Sequence, residues 1–254
     1  MKKQVLIALG LLISGGMYAQ EYKLNKSSGT LDIKEVNHVT IEGHSGNEII
    51  FTSSNNDHED DDRAKGLRAI SSMGIEDNTG IGLSVVDKGN VIEVRQLKKM
   101  DGPDIKILVP KNVVVSYSHT SPHGDEIEIK NFEGKVEVHT VHSGVELTNT
   151  TGPLDINTVH GDIDASLGGT LKEPISIESV HGHVDVALPT GIKADIKMTT
   201  QFGELLVDPD FKIEIDRDGT MIRYSDKVSG KINGGGLDIT LSSHHNNVYL
   251  RKGK

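Results

Sequence analysis

The chain is 254 residues long, with 28 glycines, 37 acidic against 27 basic residues and a formal net charge of -10. That balance excludes general electrostatic binding to nucleic acid or to anionic lipid. The lack of cysteine excludes a disulfide framework and a lipid-anchor cysteine, and the lack of tryptophan, with few other aromatics, points to a thin, regular core.

In chain order, "MKKQVLIALGLLISGGMYAQ" begins with Lys2 and Lys3, runs through apolar Val5 to Ile13 and ends in small residues before Ala19. This is the layout of a secretory signal peptide over residues 1-19, too short for a spanning helix. No second long apolar run follows, so an exported protein is expected, periplasmic or extracellular, without a transmembrane segment. Residues 20-114 carry the strand-rich stretches "GTLDIKEVNHVTIEGHSGNEIIF" and "GNVIEVRQL", which are expected to cap or begin a larger β structure. Between them lies the one helix candidate, Asp61 to Ser72, behind the charge run "NNDHEDDD". The acidic run Asp57 to Asp62 offers oxygen ligands for Ca²⁺ but lacks the glycine-punctuated spacing of a calcium loop, so a solvated loop or helix start accounts for it.

From residue 115 the pattern becomes a repeat. "TVHSGVEL", "TVHGDIDA" and "SVHGHVDV" place His142, His160 and His181 at equivalent positions, 18 and then 21 residues apart. Three and five places beyond each histidine stand Val145 and Leu147, Ile163 and Ala165, Val184 and Val186. Six and four places before it stand Val136 and Val138, Leu154 and Ile156, Ile175 and Ile177. Each repeat is therefore two short strands with alternate apolar residues, meeting at a glycine-containing corner. Upstream, "SYSHTSPHGDEIEI" puts His123 at the same place with the apolar residues one position late, which predicts a bulge or widened corner. Downstream, "ADIKMTTQFGELLV" continues the pattern with Phe202 in the histidine slot. "VDPDFKIEIDRDGTMIRYS" reads as an inserted hairpin turning at Asp216 to Gly219, after which "SGKINGGGLDITL" resumes the repeat and "NNVYLRK" closes the end.

A period near 20 with β-branched residues on one face predicts an all-β chain folded as a single-stranded β-helix, or β-solenoid, with rungs of 18-21 residues, strand-rich caps and an inserted hairpin. The expected organisation is a signal peptide over 1-19, an N-terminal capping and first-rung region over 20-114, and the regular solenoid with its hairpin and cap over 115-254. Stacked rungs about 4.8 Å apart turn equivalent positions into ladders: a corner ladder of His123, His142, His160, His181 and Phe202, and a hydroxyl ladder of Thr140, Thr158, Ser179 and Thr200.

The stretches "DNTGIGLSVVDKGNVIEVR", "IKILVPKNVVVSY", "FEGKVEVHT", "TTGPLDINTVHGDI" and "PISIESVHGHVDVALPTGIKADIKM" resemble the bacterial exported proteins grouped as "putative adhesins", a family of unknown function common in Bacteroidetes. The resemblance runs from about Gly29 to Val207. It implies a single-stranded β-helix and carries no catalytic or binding motif to transfer.

The recurring histidine has two readings. As a corner ladder, the imidazoles stack while glycine gives the turn its backbone freedom, and Phe202 fits, since it keeps the shape and loses the coordination chemistry. As metal ligands, His142, His160 and His181 would have to bring nitrogens to about 3.3 Å in a tetrahedral site, which a straight ladder does not offer all three at once; His183, His244 and His245 are further candidates without a pattern behind them. The outward acids Glu146, Asp164 and Asp185 resemble the carboxylates of a polysaccharide-cleaving β-helix, yet no lysine or arginine accompanies them in the repeat. No nucleophile elbow, nucleotide loop or zinc-protease motif is present. The expectation is a noncatalytic adhesin-like solenoid, a scaffold or recognition surface for an envelope protein or glycan, needing no cofactor; the alternative is a carbohydrate-active β-helix that binds or cleaves polysaccharide.

Overall fold

The computed structural model describes residues 21-53, 63, 66-215 and 226-253. Among the described residues twenty-one strands follow one another: β1 (Glu21–Leu24), β2 (Gly29–Lys34), β3 (His38–His44), β4 (Ile49–Ser53), β5 (Leu83–Asp87), β6 (Val91–Gln96), β7 (Asp104–Pro110), β8 (Val113–His119), β9 (Ile127–Lys130), β10 (Val136–Thr140) and β11 (Val145–Thr148). They continue with β12 (Leu154–Thr158), β13 (Ile163–Ser166), β14 (Ile175–Ser179), β15 (Val184–Leu188), β16 (Ala194–Thr200), β17 (Leu205–Val207), β18 (Ile213–Ile215), β19 (Asp226–Ile232), β20 (Leu237–Ser243) and β21 (Val248–Lys252).

Two walls face each other across one apolar interior. The first wall runs β1-β4-β7-β3-β9-β11-β13-β15-β21-β17, the second β18-β19-β16-β20-β14-β12-β10-β8-β2-β6-β5. A strand from each wall makes a rung, and eight rungs stack in parallel among the described residues. Because side chains alternate across a strand, every second residue points inward, and parallel pairing sets like upon like. One inward ladder is Val94, Ile33, Tyr117, Val138, Ile156, Ile177, Leu241 and Met198, all buried. The chain is thus all-β, and its walls stay open sheets without closing into a barrel.

The ends differ from what chain order suggests. Instead of closing the end, β20 and β21 enter the stack between β14-β15 and β16-β17. At the other end β2 and β3 lie between β6-β7 and β8-β9. Identical registers permit this: Ile239 pairs with both Ile175 and Ile196. Antiparallel strands then finish three of the four wall ends, namely β1 and β4 on β7, β5 on β6, and β19 and β18 on β16. In the inserted hairpin β18 pairs with β19, Ile215 opposite Gly230; the expected turn at 216-219 lies outside the described residues. The helix candidate is a correction: of Asp61 to Ser72, the described residues form turns and one bridge, Ile70 to Glu76. Gly66 stands at φ 79°, outside the helical region, and breaks the described part of the candidate. The acidic run 57-62 and residues 1-20 also lie outside the described residues. No helix of the described residues is long and apolar enough to cross a membrane.

Candidate functional site

The repeat concentrates its polar chemistry at the corner where the second wall turns into the first. In five rungs that corner is four residues long, as between β10 and β11. In four of these rungs the hydroxyl at the end of the second-wall strand ties neighbouring corners together, while in the first Thr140 donates to the Ser143 carbonyl of its own corner. Thr158 accepts from the Gly161 N–H and donates to the Ser143 carbonyl of the previous rung. Ser179 accepts from Gly182 and donates to the Gly161 carbonyl; Ser243 accepts from Asn246 and donates to the Gly182 carbonyl; Thr200 accepts from Gly203 and donates to the Asn246 carbonyl. Each hydroxyl thus satisfies two buried backbone groups that the corner would otherwise strand. The glycines serve here by lacking a Cβ rather than by unusual backbone angles. A Cβ on Gly182 would stand 2.0 Å from the Gly161 carbonyl oxygen, and one on Gly161 2.1 Å from that of Ser143.

Outside this seam the rings form an exposed stack. Centroids of His142 and His160 are 5.3 Å apart, His160 and His181 4.7 Å, His181 and His245 4.6 Å, and His245 and Phe202 5.0 Å, with planes within 11° of parallel. His244 leans against both His245 and Phe202. His245 therefore separates Phe202 from His181, as Ser243 separates Thr200 from Ser179. The signal was present in the sequence: Ile239, Leu241, Ser243, His245, Val248 and Leu250 match the repeat position by position.

His123 is a correction. The corner between β8 and β9 has seven residues, 120-126, so the upstream register assigns the slot to Ser121 and the downstream register to Gly124. His123 is exposed in that loop and stacks on no ring among the described residues. The buried histidine of this rung is His119, in register with Thr140. Its Nε2 lies 3.1 Å from Asn37 Oδ1; the Asn37 amide nitrogen donates to the Lys99 carbonyl, so Nε2 donates, and Nδ1 is left to accept from Ser143 Oγ at 3.4 Å. Gln96 Oε1 accepts from the Asn37 N–H, and the Tyr117 hydroxyl donates to the Val36 carbonyl. Burial pushes the pKa of His119 down, against the opposing pull of the Glu35 carboxylate 3.9 Å away.

The first wall presents a line of acids. Glu128, Glu146, Asp164 and Asp185 follow one another on adjacent strands. Burial, then the charges of Glu146 and Asp164, raise the pKa of Glu126 above the ordinary carboxylate value. Most of the line is engaged. His183 sets Nδ1 3.0 Å from Asp162 and Nε2 3.2 Å from Asp164; Lys130 donates to Glu128 at 2.6 Å; Arg251 donates to Asp185 at 2.7 Å and lies over the Tyr249 ring. The arginine missing from the repeat is supplied by the inserted rung.

These arrangements limit the chemistry. Two nitrogens on one zinc ion can be at most about 4.2 Å apart even in line, given bonds of about 2.1 Å. Each imidazole lone pair lies in its ring plane, and with planes within 11° of parallel and centroids 4.6 to 5.3 Å apart the nitrogens do not aim at a common point, so the stack does not chelate one ion as it stands. A groove of about 770 Å³ lies at the opposite corner, lined by residues such as Asn131, Lys135, Asn149 and Lys172, away from the acidic line.

The family model described as Toastrack DUF4097 matches residues 87-251. A solved structure, described as a "putative cell adhesion protein" from Clostridium sporogenes ATCC 15579, is similar over 92% of this chain and 99% of that one, at 13% identity and a TM-score of 0.44. Among curated proteins, none matches.

Proposed function

The chain belongs to the Toastrack DUF4097 family, and from that premise we propose that it is a noncatalytic, adhesin-like recognition surface of the cell envelope. In this reading residues 1-19 are a leader removed on export, 20-114 cap and begin the solenoid, and 115-254 form the displaying surface. The observation that carries it is the acidic first wall: its carboxylates lie in a line along an open sheet and are held by Lys130, His183 and Arg251, rather than converging on a groove. Glycoside cleavage needs an acid and a second carboxylate placed on either side of one bond. A rigid sheet with ordered charges suits recognition of a protein or glycan whose groups repeat along one direction.

The test is to incubate the chain lacking residues 1-19 with isolated envelopes and with purified envelope polysaccharides, measuring bound protein and new reducing ends. Saturable binding without new reducing ends is expected, weakened when Asp164 and Asp185 are both changed to Asn. Release of reducing ends that depends on Asp164 would establish the carbohydrate-cleaving alternative, and no binding to any fraction would remove the recognition reading.

A further inference from the structure

The four wall ends are unequal. Three finish in an added antiparallel strand that includes a charged residue: Glu21 and Lys23 in β1, Asp87 in β5, Glu214 in β18. The fourth ends in β17, a bare rung strand of Leu205, Leu206 and Val207, paired on one side with β21 and with no strand on the other among the described residues. The backbone of Glu204 and of Asp208 bonds toward β21. Alternation along a ladder therefore turns the N–H and C=O of Leu205 and Val207 to the open edge. Leu206 and Val207 are 40% and 37% exposed, and at the adjoining corner Phe202, which stacks on His245 and against His244, is 65% exposed. Unpaired edges are ordinarily blunted by charge, proline or cover; this one is apolar, with Pro209 entering only after the strand ends.

We propose that the open edge of β17 is a strand-addition site for an extended segment of another protein, apolar at its centre and basic at both flanks. Backbone pairing fixes the extended form, as in other sheet-edge recognition. Charge fixes the flanks: Glu204 stands at one end of the strand, and Asp208 and Asp210 follow the other, Lys252 holding Asp210. The same charges argue against a second copy of this chain. A two-fold antiparallel pairing centred on Leu206 sets Glu204 opposite the Asp208 of the copy, and like charges directly opposite destabilise a pair. This edge ends the same wall that carries the acidic line, beyond β21, and the proposal does not depend on the proposed function above.

The experiment uses a fluorescent peptide of alternating Val and Thr with Lys at both ends, a matched peptide with Glu ends, and the chain with and without Val207→Pro. Proline at an open edge removes one outward N–H and leaves the β21 bonds alone. Expected results are binding of the Lys-ended peptide about tenfold tighter than the Glu-ended one, a similar loss in Val207→Pro at unchanged melting temperature, and slowed amide exchange at Leu205 and Val207 when the Lys-ended peptide is bound to the unaltered chain. The exchange measurement decides the matter if Val207→Pro fails to fold. Equal binding of the two peptides, binding indifferent to Val207→Pro, unprotected amides in β17, or a dimer of the chain formed through this edge would each overturn the proposal.

Discussion

The regular rungs from β8 to β15 and the two ends use the same parts and differ in how the chain reaches them. In the middle, each rung pairs with the rung before it in sequence, and the Ser179 bond to Gly161 spans 18 residues. At the C-terminal end the equivalent bond, from Ser243 to Gly182, spans 61. Both bonds join a hydroxyl to the carbonyl of the rung below, at 3.0 and 2.8 Å. The form of a rung is a local property, while the order of rungs is a global one: Ile239 sits equally well against Ile175 and Ile196.

The largest expected effects test that order. Ile177→Ala and Leu241→Ala, both in fully buried positions, should each cost about 2 to 5 kcal/mol in denaturant melts. Since Ile177 pairs with Leu241, the double variant should show a coupling of about 0.5 to 3 kcal/mol, whereas Ile177 and Met198, a full rung apart, should add. Coupling of the second pair and additivity of the first would return the rungs to sequence order. Asp185→Ala, which loses an exposed partner in Arg251, should cost under about 1 kcal/mol.

Glycine sharpens the contrast between seam and loop. Gly182→Ala forces a Cβ onto a neighbouring carbonyl and should cost about 1 to 3 kcal/mol. At Gly191, in the connection from β15 to β16, nothing lies within 4 Å of such a Cβ, so Ala there should change stability by less than about 0.5 kcal/mol. Equal melting temperatures for the two variants would mean the corners are looser than described.

A smaller effect belongs to the junction of the N-terminal end with the regular rungs. His119 has its pKa pushed down by burial, so between the unfolded and folded values the unfolded chain binds the extra proton. Its contribution is complete above the unfolded histidine value of about 6.5 and is lost as the pH falls below it. Urea melts between about pH 7 and 5 should show this decline, and His119→Gln should flatten it. A steeper decline in that variant would contradict the assignment. Least of all should change with metal: calorimetric titration with zinc should give no stoichiometric site that disappears when His142, His160 and His181 all become Asn, because the near-parallel stacked rings do not aim their nitrogens at one point.

The two-strand rung and its inward residues were legible because alternation and a period near 20 are written in adjacent residues. The ring stack from His142 to His181 is readable for the same reason. His123 was misplaced because three extra corner residues shift the downstream register without disturbing the upstream one, leaving His119 as the buried member. Phe202 was set next to His181 because a 21-residue step imitates a neighbouring rung. His245 matched the repeat in full, but stacking order depends on contacts between distant segments, which no local pattern encodes. The grip of Arg251 on Asp185 depends on that same long-range insertion.

The placement of β20 and β21 also sets a timetable. A chain made from its N-terminus presents β16 and β17 before the strands that must lie beneath them exist. Until residue 252 is available, the last rung has no lasting partner below it, and its apolar face waits uncovered. Pairings that close long stretches of chain form slowly and leave exposed edges in the interval. Docking of β20 and β21 is therefore a late step, and a chain stopped before them would leave β16 and β17 without the strands they pair with in parallel, an edge open to proteolysis.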